Sequence, residues 1–204
     1  MRKLIIVRIV HTPADMGTMK DGLMKEGMAK LGKERWLENQ RMIEKFWAEA
    51  AQEIDDLGLD YGKVRIYQDG LPVGGEMARK IVDETAEKGS MNYRIVRKMM
   101  ARGAALEATE SPELLIEEYR HIKAILTAQT PGEKTEAARD YDRIKDELMR
   151  KRDAYIANRI NSTLKDGETG FLFIGAAHNV RPGLAPDIGI TDMTEDASTP
   201  HQSG

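Results

Sequence analysis

The chain contains no cysteine, which removes disulfide staples, cysteine-ligated zinc, iron–sulfur clusters and thiol nucleophiles together. Bulky aromatic residues are scarce, with three phenylalanines and two tryptophans, so any core must be mainly aliphatic and partly methionine. No apolar stretch approaches the roughly 20 residues needed to span a bilayer. Neither sign of charge dominates. Lysine and arginine number 31 and aspartate and glutamate 34, a net charge of −3, which argues against a dedicated nucleic-acid surface. Met1-Arg2-Lys3 followed by an apolar run has the outline of a leader. That run is short, contains Arg8 and lacks a small-residue cleavage site, so it reads as a buried first strand. A cytoplasmic protein without membrane or nucleic-acid partners is the expectation.

Histidine is also rare, with four in 204 residues, and two of the four close the two densest apolar runs. His11 ends Lys3-Leu-Ile-Ile-Val-Arg-Ile-Val-His11, and His178 follows Gly170-Phe-Leu-Phe-Ile-Gly-Ala-Ala. Runs of this kind suit strands covered on both faces. Further strands are predicted at 63–68 and 103–109. Between them, 33–57 shows three- and four-residue apolar spacing, with Trp36 and Trp47 expected in the core. Helices are also predicted at 76–88, 91–102, from Ser111-Pro112 to about 127, and at 133–165. Thr12 to Gly32, rich in Gly and Met, reads as a lid loop with some helix. Strands separated by helices predict an α/β fold, a small, largely parallel sheet covered by helices, with long amphipathic helices. The expected organisation is one domain over 1–191 and a flexible tail over 192–204.

In such a sheet the polar groups at the strand C-terminal ends share one rim. His11, the Asp69–Gly75 turn, Glu107 or Glu110, and His178 are the groups that would meet there. Two imidazoles and a carboxylate (His11, Glu107 and His178) suffice to hold a divalent metal, or to work without one as base, acid and orienting partner. Gly74, Gly75 and Gly175 would let a substrate approach closely. Glu110 precedes a helix, where a carboxylate is favoured without any function. Arg152 falls on the apolar stripe of helix 133–165, so it requires a defined partner. Asp15 and Gly17 are candidates for supporting roles, His121 belongs on a helix surface, and His201 lies in the tail.

The stretch Lys151-Arg152-Asp153-Ala-Tyr-Ile-Ala157-Asn-Arg-Ile160, followed by Phe173-Ile-Gly175-Ala-Ala-His178, resembles the TraB/TIKI family within the wider erythromycin esterase and ChaN-like group. The resemblance implies roles for Arg152, Gly175 and His178, with Glu107 as the strand-end glutamate and Glu110 as the other claimant. His11 takes the place of the first family histidine, and Arg8 stands where that motif has glycine. It further implies a hydrolase of an amide or ester bond, working with or without a divalent metal, acting on a small-molecule or peptide substrate. Two other readings stand beside it. One is a non-catalytic binder of a small anion through the Asp69–Gly75 turn and Arg152. The other is a scaffold whose long helices self-associate, with a homodimer possible.

Overall fold

In the computed structural model the described residues are 1–10 and 20–193. Alternation along the strands sets the architecture. In β1 (Arg2–Ile9) Leu4 and Ile6 enter one apolar cluster, while Val7 and Ile9 enter another on the opposite face. In β4 (Thr169–Gly175) Phe171 and Phe173 join the second of these clusters, and Leu172 and Ile174 the first. A strand whose successive side chains are buried on both sides belongs in the middle of a covered sheet.

The sheet is five-stranded, with every pairing parallel, in the order β3-β2-β4-β1-β5. Its remaining strands are β2 (Val64–Gln68), β3 (Ala105–Glu107) and β5 (Ile188–Asp192). One face is covered by α2 (Lys33–Asp56), α3 (Gly75–Glu87) and α4 (Met91–Ala101), through residues such as Trp47, Ile54, Val82 and Met99. The other is covered by α6 (Pro131–Thr163), through Ile156 and Ile160, and by the segment around Val180. Trp47 is fully buried, as expected.

Within Thr12–Gly32, read as a lid loop with some helix, the helix is α1 (Lys20–Leu31), and residues 11–19 lie outside the described residues. Gly27 of α1 lies so close beneath the ring of Trp36 that a Cβ would be 2.2 Å from it. This tertiary contact outweighs the low helix propensity of the glycines. The strand expected at 103–109 shortens to three residues. Beyond His178 the chain adds a fifth strand that was not anticipated, with Ile188 and Ile190 as its short alternating pair. Asp192, assigned to the tail, ends β5, and Met193 donates its N–H to the Ile6 carbonyl. Residues 194–204 lie outside the described residues.

Both long helices exceed the sheet. The buried residues of α6 begin at Leu148 and those of α2 at Ile43. The earlier part of α6 pairs with α5 (Pro112–Thr127), a helix without a single fully buried residue. Stability should therefore reside in the C-terminal half of α6. Replacing Ile160, which is fully buried, with alanine is expected to cost about 2–5 kcal/mol, read from urea unfolding at unchanged m-value. A loss below about 1 kcal/mol would contradict this packing.

Candidate functional site

All strands being parallel, their C-terminal ends share one rim, and ligands in such sheets sit where neighbouring connections leave toward opposite faces. That occurs between β2 and β4. After β2 the chain enters α3 on one face, and after β4 it folds through Val180 and Leu184 on the other. The first residue beyond β2 is Asp69, whose N–H extends the ladder to the Phe173 carbonyl at 2.9 Å. Its Oδ2 accepts the N–H of Gly175, the last residue of β4, at 3.0 Å. The crevice thus begins with a carboxylate clipped across the two strand ends.

Glu110 is brought there by the backbone. The Leu71 carbonyl in the β2–α3 turn accepts the N–H groups of Thr109 and Glu110, at 2.9 and 3.2 Å, tying the chain after β3 to the chain after β2. The Thr109 hydroxyl accepts the Gln68 N–H at 3.0 Å. Ser111 then caps α5 by accepting the Leu114 N–H, with Pro112 in the first turn, as the sequence suggests. Two turns into α5, Glu118 faces the same point.

That point is the guanidinium of Arg152, which is 5% exposed. Its Nη2 donates to Glu110 Oε1 at 2.5 Å and to Asp69 Oδ1 at 2.9 Å. Its Nε donates to Glu110 Oε2 at 3.3 Å, and its Nη1 to Glu118 Oε2 at 2.5 Å. The partner demanded by an arginine on an apolar stripe is therefore a set of three carboxylates. Burial acts to lower the guanidinium's hold on its proton, but Glu110, Asp69 and Glu118 more than offset this and raise it.

The neighbouring Asp153 serves the histidine. Its Oδ1 lies 2.6 Å from His178 Nδ1, and its Oδ2 accepts the Asn179 N–H at 2.9 Å. With Nδ1 bonded to a carboxylate, the other ring nitrogen, Nε2, faces Asp69 Oδ2 at 3.6 Å. Asp69, Glu110 and His178 each offer one ligand atom, and these atoms all lie within 4.8 Å of one another. Two carboxylate oxygens and an imidazole nitrogen, the imidazole oriented by a carboxylate behind it, form a donor set suited to a divalent cation.

Charge is shared unequally in this cluster. Burial pushes the fully enclosed Glu110 carboxyl up to about 7, against the lowering influence of Arg152. Burial acts on Asp69 in the same sense, yet His178, Arg152 and the Gly175 N–H together hold it below its ordinary range. Burial thus dominates at Glu110, while the surrounding cations and the Gly175 N–H dominate at Asp69.

Of the residues expected from sequence, Arg152, Gly175 and His178 come together. His11, Asp15, Gly17 and His201 lie outside the described residues. Glu107 is elsewhere, ion-paired with Arg65 and lying 3.6 Å from Arg159 Nη2. The carboxylate on Arg152 is that of Glu110. Gly74 and Gly75 form the start of α3, where Gly75 has φ +63°, a turn conformation that favours glycine. His121 stacks on Tyr141 with ring centroids 6.0 Å apart. Asp69 carried a visible signal as the first carboxylate after a strand. Glu118 had none, being one acid in the charged stretch Glu117-Glu118-Tyr119-Arg120.

Residues 76–187, more than half of the chain, match the model of the TraB/PrgY/gumN family. The matched stretch includes Glu110, Arg152 and His178, and Asp69 precedes it. No curated protein and no solved structure matches the chain.

Two outcomes are expected. Arg152→Met should destabilise the protein by about 3–5 kcal/mol at pH 8, because three carboxylates lose their common cation. The deficit should shrink at pH 5.5, where those carboxylates can take up protons, as equilibrium unfolding at the two values will register. For Glu110, the folded value of about 7 exceeds the ordinary 4.5, so its contribution is full below pH 4.5 and is lost as pH rises through 7. The wild type should therefore lose stability across that interval relative to Glu110→Gln. Parallel stability–pH curves for the two proteins would contradict the assignment.

Proposed function

Because the chain belongs to the TraB/PrgY/gumN family and gathers Asp69, Glu110, Arg152 and His178 at one strand-end crevice, we propose that it hydrolyses an amide or ester bond there. The observation that carries this reading is the alignment Asp153–His178–Asp69. A carboxylate fixes one imidazole nitrogen at 2.6 Å and leaves the other directed at the crevice, the arrangement a general base or an oriented metal ligand requires. The role expected of Glu107 passes in this reading to Glu110, and Asp69 completes the set.

His178 Nε2 would accept a proton from water as its oxygen bonds to the substrate carbonyl carbon. The C–N or C–O bond then breaks, and the leaving group takes a proton back from the site. Glu110, which holds a proton up to about pH 7, is matched to return one near neutrality. Arg152 keeps the Asp69–Glu110 pair together without neutralising it, since three carboxylates surround a single guanidinium. With Glu110 ionised, the same cluster would instead suit a divalent cation on Asp69, Glu110 and His178, which would replace the imidazole as the group that activates water. When bound, such an ion would polarise the carbonyl and acidify water. The excess of carboxylates disfavours the anion-binding alternative built on Arg152, whose Nε, Nη1 and Nη2 all donate to carboxylates.

The test is the melting temperature of wild type, Asp69→Asn and His178→Ala with a panel of divalent metals, followed by turnover on a panel of peptides and esters. One metal should raise the wild-type melting temperature by several degrees and neither variant's. Turnover should fall at least 100-fold in both variants, the range expected for loss of an acid–base group. Turnover surviving His178→Ala would sink the proposal.

A further inference from the structure

A second guanidinium reaches this rim, on the other side of His178. Arg8 lies in β1 opposite Ile174 of β4, one residue short of the Ile9–Gly175 pair at the strand ends. Its Nη1 donates to the main-chain carbonyl of His178 at 3.0 Å. Among the described residues no carboxylate pairs with it. Two carboxylates at this end of the sheet are already committed. Asp153 is held through both oxygens, by His178 and by the Asn179 N–H, and Asp192 is ion-paired with Arg181.

Arg8 is half-buried, and burial and the nearby Arg181 both act to weaken its hold on its proton, with Asp153 acting the other way. A cation kept in partly desolvated surroundings beside another cation, with most of its N–H fork unused, is costly unless an anion completes it. A planar fork is matched by the two oxygens of a carboxylate. The carboxylates already on Arg152 leave it no fork for a substrate carboxylate, whereas among the described residues Arg8 has that capacity free.

We propose that Arg8 receives a carboxylate of the substrate, so that the bond presented to His178 belongs to a molecule carrying a free carboxylate close to its amide or ester. The inference rests on the hydrolase reading for the identity of that bond, but the carboxylate site itself is tested by binding. His178 would stand between two fields of opposite sign, an acidic cluster reaching for a cation and a guanidinium reaching for an anion. Arg8 is thus a specificity-determining residue, touching the part of the substrate that does not react.

Two probes with the same amide, N-acetylglycine and its neutral analogue N-acetylglycinamide, separate this from general affinity. In calorimetric titrations of the whole protein, N-acetylglycine should bind wild type at least tenfold more tightly than N-acetylglycinamide. Arg8→Gln should bind both with the affinity wild type shows for the neutral probe, and Arg8→Lys should recover part of the preference. Equal binding of the two probes by wild type, no measurable binding of N-acetylglycine, or a preference that survives Arg8→Gln would each overturn the proposal. The wild-type comparison holds even if a variant fails to fold. Should turnover fail in every assay while the preference for N-acetylglycine stands, the hydrolase reading falls and the carboxylate site remains.

Discussion

The buried guanidinium of Arg152 gathers carboxylates from three elements of the chain at one point. Asp69 comes from the end of β2, Glu110 from the end of β3 and Glu118 from α5, each reaching the same planar group from a different direction. Remove the cation and the carboxylates repel one another in a place where water cannot screen them, which makes the pose of α5, the spacing of the strand ends and the protonation of Glu110 a single problem. The apolar clusters hold the sheet to its helices, but they do not determine which polar groups face each other across the rim. Arg152 does that, and it does so from a position on α6 whose neighbours Leu148, Ile156 and Ile160 lock the helix into the core.

Much of this was legible in the sequence, and the part that was not has identifiable causes. The dense runs at 3–11 and 170–175 could only be interior strands, and the apolar spacing of 33–57 and 133–165 could only be long helices. The need of Arg152 for a carboxylate was equally plain, because an arginine on an apolar stripe has few other solutions. Which carboxylate answers it was hidden, since the choice between Glu107 and Glu110 depends on how far β3 runs. The strand stops at Glu107, whose side chain turns to Arg65 and Arg159, and the hydrogen bonds to the Leu71 carbonyl swing the next residues into the crevice. β5 escaped notice because it is five residues long and interrupted by Gly189, leaving two isoleucines as its whole signal.

The rim divides its charge around one imidazole. On one side carboxylates outnumber cations, and on the other Arg8, near Arg181, has no carboxylate partner among the described residues. Electrostatics of this kind select a substrate by its charge distribution before its shape matters, since the cost of placing the wrong sign in either half is paid in desolvation. His178 is held between the halves by contacts at both ends, its ring by Asp153 and its carbonyl by Arg8.

The strand at the centre of the rim, β4, is also the one synthesised late. It lies between β1 and β2 in the sheet although about 100 residues separate it from β2 in sequence. Until residues 169–175 leave the ribosome, β1 and β2 have no common neighbour, and each presents an unpaired apolar edge of the kind that invites aggregation. The insertion that places Gly175 and His178 at the heart of the crevice therefore obliges the nascent chain to wait. During synthesis, protection of those two edges falls to the helices already made or to a chaperone.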